Sequence, residues 1–431
     1  MICPGKWRKC PMDRLTNLQF NPKHPTLMLI DINSCFATIE QQANPQLRGR
    51  PVAVAAYDTP SGCILAASYE AKKLGVKTGM RVREGKLLAP DLTVLTPDPQ
   101  KYRDVHLKLR TVLNKFSDAV VPKSIDEFIV NLEGCPSFKK GMRNVASEIK
   151  ELIKKNVGDW ITVSIGIGPN IFLAKTAAGL KKPDGLEEIN INNFETVYSS
   201  LEITGLHGIK QSNAARLATQ NIYTVMDFYK ASSATLERAF GSITGYYWYL
   251  RLRGWEIDDV AWGRRSYGNS YAIPDRLSKS EDLAPILYKL VEKTARRLRK
   301  AGYKAKGVSV SINYRDGSHW HHGHIMGKTL FDPRDIFKEA YRIMCRSPYY
   351  GKTVAILAES VFEIFDNDTT QLDLFDDINR KEKLYSAVDE ITDRWGEFVI
   401  TPARMLSAKK HVHDRIAFGG IKELEEFTLQ D

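Results

Sequence analysis

The stretch "KSIDEFIVNL", residues 123–132, sets two carboxylates, Asp126 and Glu127, side by side among strand-forming residues. Ile125, Phe128, Val130 and Leu132 predict a β-strand, and aspartate suits a strand interior poorly. Successive strand residues face opposite sides of a sheet, so the pair is expected to divide between two faces. A third acid stands in a comparable place. "LMLIDINSCFATIE" (27–40) reads as an apolar strand ending in Asp31, then a turn into a helix beginning near Cys35. Three carboxylates sharing a site repel one another at neutral pH unless cations neutralise them. All-oxygen ligand sets suit magnesium, and a pair of magnesium ions suits in-line phosphoryl transfer. Three unrelated surface acids would give the same spacing, so this pattern alone leaves both readings open.

The rest of the chain narrows the class. Its 431 residues predict two to four domains, and 43% hydrophobic content is ample for folded cores. With 26% charged residues and no low-complexity tract, global disorder is not expected. No apolar run approaches membrane-spanning length, and "MICPGKWRKCPMDRL" at the start lacks the apolar region of a signal peptide, so a cytoplasmic protein with no membrane partner is expected. Cysteines 3, 10, 35, 63, 135 and 345 form no CxxC pair and no zinc spacing, which fits a reducing compartment.

A formal charge of +11 points to a polyanionic partner, most economically nucleic acid. Between Arg264 and Lys352 there are 19 Lys and Arg against 8 Asp and Glu, an excess equal to that of the whole chain. Within it, "KLVEKTARRLRKAGYKAKGVSVSINYRDGSHW" (289–320) reads as a basic helix, a turn at Gly302 and a one-sided strand. Basic helices are most often solvated faces. The concentration of charge favours phosphate contacts instead, with Arg296, Arg297, Arg299, Lys304 and Lys306 as candidates.

Residues 1–25 hold four prolines and little periodicity, and read as a loose extension. Residues 26–200 alternate strand-like and helical runs, residues 201–260 are mostly helical, and a further α+β unit follows from 264 to 410.

Four further segments occur in order: "ILAASYEAKKLGVKTGMRVREGKLLAPDL" (64–92), "VPKSIDEF" (121–128), "VSIGIGPNIFLAKTAAGLKKPDGL" (163–186) and "ITGLHGIKQSNAARLATQNIYTVMDF" (203–228). Together they resemble the Y-family DNA polymerases, the lesion-bypass enzymes, along nearly all of residues 27–406. The resemblance implies an α+β multidomain right-hand polymerase with a ferredoxin-like palm, small fingers, a helical thumb and a C-terminal little finger. The implied divisions are an extension (1–25), palm and fingers (26–200, fingers about 45–100), thumb (201–261), linker (262–274), little finger (275–410) and tail (411–431).

By the same resemblance, Asp31, Asp126 and Glu127, with the Ile32 carbonyl, take two catalytic magnesium ions. Tyr69, Lys72 and Lys182 hold the triphosphate of a deoxynucleotide, with Lys72 standing where many relatives have arginine. Phe36, five residues after Asp31, falls at the steric-gate position beneath the sugar. "GLHGIKQSNAARL" (205–217) resembles a helix-hairpin-helix whose Gly208 and Lys210 meet a DNA phosphate, Lys210 replacing the usual second glycine.

Three departures stand out. Ile171 follows the asparagine of "GPNIF" where lysine is usual, Phe128 replaces a small residue, and Asn33 is an uncharged variant of an acidic position. Finally, Gln371, Leu372, Leu374 and Phe375 of "TTQLDLFDD" (369–377) resemble the peptide that docks on a bacterial sliding clamp, with an amphipathic core strand as the rival reading. The function implied is template-directed, error-prone extension of primer-template DNA past damaged bases, by a monomeric core without proofreading. A catalytically silent scaffold binding DNA and clamp is the alternative, and it has no need of the three carboxylates.

Overall fold

The computed structural model describes residues 17–258, 264–366, 378–396 and 398–408. They form two compact units, divided at about residue 260. Among these residues no helix is long and apolar enough to cross a membrane.

The first unit contains strands β1 (Leu27–Ile32), β2 (Val52–Ala55), β3 (Ile64–Ala67), β4 (Thr93–Leu95), β5 (Val120–Pro122), β6 (Glu127–Asn131), β7 (Val163–Gly168) and β8 (Leu186–Glu188). Five of them make one sheet in the order β5-β6-β1-β7-β8, and β3-β2-β4 make a second, smaller sheet inside the stretch 45–100. β1 lies centrally because Met28, Leu29 and Ile30 are all buried, which only a strand covered on both faces can satisfy. Helices Pro99–Leu113 and Met142–Asn156 bury Tyr102, Leu109, Leu113, Val145, Ile149 and Ile153 in one core with Met28, Ile30, Phe128 and Val130. Helix Ile171–Leu180 joins Leu29 and Ile129 through Ala174 and Ala178. Its approach is close: a Cβ at Gly166 would lie 2.0 Å from the Ala174 carbonyl oxygen, so that strand position requires glycine.

Residues 194–252 form five short α-helices and one 3-10 turn around Phe172, Phe228, Phe240 and Trp248. Part of the expected loose extension belongs to this core. Phe20 stacks on Phe194 with centroids 4.2 Å apart, the Leu18 amide donates to the Tyr249 hydroxyl at 2.9 Å, and the Arg253 Nε donates to the Leu18 carbonyl at 2.9 Å.

The second unit contains β9 (Ser266–Ala272), β10 (Tyr303–Tyr314), β11 (His319–Leu330) and β12 (Val354–Asp366), in the order β11-β10-β12-β9. The expected linker 262–274 therefore supplies a strand: β9 pairs antiparallel with β12, Ser270 opposite Ala358. Helices Ser280–Lys300 and Pro333–Met344 both pack on the sheet face bearing Val308, Val310, Leu357 and Val361. The opposite face presents mostly small residues, among them Ser309, Ser311, Ser360 and Gly268.

Candidate active site

The acidic pair resolves by a one-residue shift of the strand boundary. β6 begins at Glu127, and Asp126 sits in the bend before it, so the aspartate does not occupy a strand interior. Asp31 is the cross-strand partner of Glu127, and the Ile32 amide donates to the Asp126 carbonyl at 2.9 Å. All three acids thus meet at one end of two adjacent strands. Asp31 and Glu127 keep 15% and 16% of their side-chain surface exposed, enough to be reached by a ligand.

Each carboxylate has a partner. Lys182 Nζ lies 2.7 Å from Asp31, Lys175 Nζ reaches both Glu127 oxygens at 2.9 and 2.8 Å, and Ser124 donates to Asp126 at 2.5 Å. Burial, abetted by the charges of Asp126 and Glu127, still pushes Asp31 up to about 6 against the pull of Lys182. Asp126 is raised for the same reasons, burial first and Glu127 next among the raising causes. Among the described residues no three His, Cys, Asp or Glu side chains are gathered tightly enough to ligate one ion as they stand. Lysine ammonium groups compensate two of the three charges.

Beside the acids lies a cationic cluster. Ser34 has a left-handed backbone (φ 49°, ψ 41°), a conformation costing a non-glycine residue about 1–3 kcal/mol. Its hydroxyl accepts from Lys72 Nζ at 2.6 Å and is hydrogen-bonded to Tyr69. Lys72 also lies 4.6 Å from the Tyr69 ring centre. Burial, then the nearby charge of Lys182, lowers the Lys72 pKa, while Asp31 raises it. Tyr69, Lys72 and Lys182 therefore share one neighbourhood with Asp31. Helix Tyr69–Lys73 is fixed there by its cap, since the Ser68 hydroxyl accepts from the Ala71 amide at 3.3 Å and the Val52 amide at 3.1 Å.

Phe36 is 2% exposed and stacks on Tyr102 with centroids 4.2 Å apart, a place in the core one helical turn after the end of β1. Phe128 is fully buried against His106, 4.5 Å between rings, so its bulk packs on the face away from Glu127. Ile171 leaves its amide to donate to Glu256 at 2.7 Å, and its side chain packs with Ala174 and Leu29. Gly208 has φ +88°, and a Cβ there would stand 3.3 Å from the Trp248 ring. Lys210 Nζ reaches the Thr204 carbonyl at 3.3 Å.

Three residues emerge that motif reading passed over or undervalued. Lys175 is the sole charged residue of the otherwise apolar or small helix "IFLAKTAAGL", a signal present in the sequence. Ser34 had none, because its role follows from its backbone angles. Asn33, fully buried, donates to Ser164 Oγ at 2.8 Å and accepts from Thr162 Oγ1 at 3.1 Å and the Asp184 amide at 2.8 Å. It ties the end of β1 to the Lys182–Gly185 turn that carries Lys182, a task needing both a donor and an acceptor.

The basic residues expected to meet DNA have partners within their own unit. Arg296 pairs with Asp393 at 2.6 Å, Arg299 with Asp389 at 2.7 Å, and Lys304 with Glu382 at 2.5 Å. Arg297 donates to the Gly268 carbonyl at 3.2 Å and Asn269 Oδ1 at 3.1 Å. Helix Ile378–Trp395 brings the three acids, so the charges that composition counted as available are compensated inside the unit. Lys306 is exposed, 5.3 Å from the Phe365 ring centre. The clamp-like residues Gln371, Leu372, Leu374 and Phe375 lie outside the described residues.

Comparison with known proteins adds the lineage. Residues 30–179 match the impB/mucB/samB family and residues 264–374 match its C-terminal domain. A DNA polymerase IV of Pelotomaculum thermopropionicum is 31% identical over 394 residues, covering 90% of this chain and 97% of that protein. The chain belongs to the impB/mucB/samB family of Y-family DNA polymerases. This polymerase is also 32% identical to a DNA polymerase IV of Moorella thermoacetica, over 89% of its own length and 96% of the relative's. A solved Y-family DNA polymerase chimera of Dbh matches it with a TM-score of 0.69 at 25% identity, over 79% of this chain and 99% of that one.

Proposed function

We propose that this polymerase extends primers past damaged template bases, in a template-directed and error-prone manner, by two-metal nucleotidyl transfer without proofreading. The observation that carries the reading is the convergence of Asp31, Asp126 and Glu127 at one end of β1 and β6, next to Lys72, Lys182 and Tyr69. The silent-scaffold alternative gives no reason for keeping three partly buried, mutually repelling carboxylates.

Asp31, Asp126 and Glu127, with the Ile32 carbonyl, would hold two magnesium ions. The donor set fits, because it is all oxygen and its burial and mutual repulsion are what a divalent cation relieves. When bound, the ions would acidify the primer 3′-hydroxyl and neutralise the leaving pyrophosphate. Lys72 and Lys182 bind the triphosphate of the incoming deoxynucleotide between them, and the Tyr69 hydroxyl donates to it. A triphosphate gives Lys182 a second anion to hold, which frees Asp31 in the same exchange. With lysine at position 72 the contact is a point charge and not a bidentate fork. Phe36 meets the sugar and excludes a 2′-hydroxyl.

Primer-template DNA is gripped at a phosphate by the Gly208–Lys210 loop, and the small-residue sheet face of the second unit lies along the duplex. Gln371, Leu372, Leu374 and Phe375 dock on a sliding clamp, which raises the local concentration of a monomeric core at the primer end. A cytoplasmic location suits these partners. Primer extension with magnesium on undamaged and abasic templates tests the reading. Extension on both is expected, and a folded protein that extends neither would sink it.

A further inference from the structure

The helical side of the second unit carries a groove that the polymerase reading leaves unused. It encloses about 610 Å³ and is lined by Tyr288, Phe337, Tyr341, Pro402 and a set of cations. Those cations are Arg334, Lys338 and Arg342 from helix Pro333–Met344, with Arg404 from the short helix Ala403–Ala408. On the helix they stand four residues apart, so about 6 Å of rise separates each from the next. The helix buries Ile336, Phe337, Ala340 and Ile343 against the core, which leaves this row facing outwards, on the side away from the open sheet face.

The groove differs from an ordinary solvated helix face in two ways. Its charges are only partly compensated: among the described residues no ion pair holds Arg334, Lys338 or Arg404, although Glu292 and Asp332 lie within electrostatic reach of Arg334, and Arg342 pairs with Glu339 at 2.8 Å. By contrast, Arg296, Arg299 and Lys304 on the same unit are each matched by an acid. The groove is also aromatic. Phe337 and Tyr341 lie 5.6 Å apart at 27°, the Arg404 guanidinium stands 5.0 Å from the Phe337 ring, and Tyr341 is partly exposed.

We propose that this groove binds a single strand of nucleic acid, its phosphates along Arg334, Lys338, Arg342 and Arg404 and a base against Tyr341. A line of cations at regular spacing beside an accessible ring suits an extended strand, in which backbone charge and base faces are both available. A duplex hides its base faces, and its binding rests on the Gly208–Lys210 loop and the small-residue sheet face, outside this groove. The proposal adds to the polymerase reading a second nucleic-acid surface, separate from the acids and from the open sheet face.

The test uses the full chain, a labelled oligothymidylate of about 15 nucleotides and a blunt duplex of the same length, by anisotropy between about 50 and 200 mM salt. The variant Arg334→Ala/Lys338→Ala/Arg404→Ala should lower the slope of log affinity against log salt by about 2 for the single strand, from three lost phosphate contacts. Tyr341→Leu should weaken single-strand binding by about tenfold with little change in that slope. Blunt-duplex binding and single-nucleotide insertion on a primed template should stay at the wild-type level in both. Single-strand affinity and slope unchanged in the triple variant would overturn the proposal. An equal loss on duplex and single strand would also overturn it, leaving only general electrostatic attraction. Failure of the wild-type protein to extend primers bears on the polymerase reading alone, since the binding comparison needs no catalysis.

Discussion

Phe36 is where the structure sharpens an expectation most. Its ring lies in the first turn of the helix after Asp31, stacked on Tyr102 at 9° between planes. Tyr102 is 1% exposed and its hydroxyl donates to Glu40 at 2.9 Å, so the ring has a firm backing. A backed ring cannot yield to an added hydroxyl, and forcing extra atoms into a packed site costs about 1–3 kcal/mol. Phe36→Ala should therefore lower discrimination against ribonucleotides by roughly 5- to 150-fold. The same burial makes the substitution costly to the fold. Truncating a buried phenylalanine destabilises by about 3–5 kcal/mol, a fall in melting temperature on the order of 10 °C. The assay is the ratio of single-turnover kcat/KM for a deoxynucleotide and its ribonucleotide, taken well below the variant's melting temperature. Phe36→Leu, which keeps more of the volume, separates packing from gating. Unchanged discrimination in folded Phe36→Ala would refute the gate and leave Phe36 as a core residue only.

Lys182→Ala removes a charge-assisted contact worth about 1.5–3 kcal/mol, so kcat/KM for the deoxynucleotide should fall by roughly 10- to 150-fold while DNA affinity holds; an unchanged kcat/KM would remove Lys182 from the triphosphate site. Glu359 is buried beside Thr294, its Oε2 without a hydrogen-bond partner among the described residues, and burial pushes its pKa up to about 8. The folded unit then binds a proton that the unfolded chain releases near pH 4.5, so stability should decline as pH rises from about 4.5 to 8. Glu359→Gln should flatten that dependence in thermal melts at several pH values, and an unaltered slope would contradict the assignment. Leu374→Ala/Phe375→Ala should abolish clamp-stimulated synthesis without changing clamp-free insertion or thermal stability; a large loss in either would favour a core strand.

What was legible in the sequence had local causes. The apolar run ending at Asp31, the turn before Cys35 and the position of the Asp126–Glu127 pair are set by neighbours within a few residues, and motif order supplied the rest of the candidate site. What was not legible depends on distant parts of the chain. Arg296, Arg299 and Lys304 look available until helix Ile378–Trp395 brings Asp393, Asp389 and Glu382 against them. The stretch 266–272 has turn-like composition, Ser-Tyr-Gly-Asn-Ser, and becomes a strand only because β12 offers a partner edge. Leu18 and Phe20 are ordered by Arg253, Tyr249 and Phe194, contacts that local periodicity cannot register. Ser34 illustrates a third limit, since a left-handed serine has no compositional mark.

The central claim is that Asp31, Asp126 and Glu127 act together as the catalytic carboxylates. Single-turnover primer extension by Asp126→Ala and Glu127→Ala, measured beside DNA affinity and thermal stability, tests it most directly. Each variant should lose extension by at least about a thousandfold, because the charge stabilisation that metal ions supply is worth several kcal/mol. DNA affinity should stay near the wild-type value, since it rests mainly on phosphate contacts made elsewhere. Substantial extension by both folded variants would contradict the account.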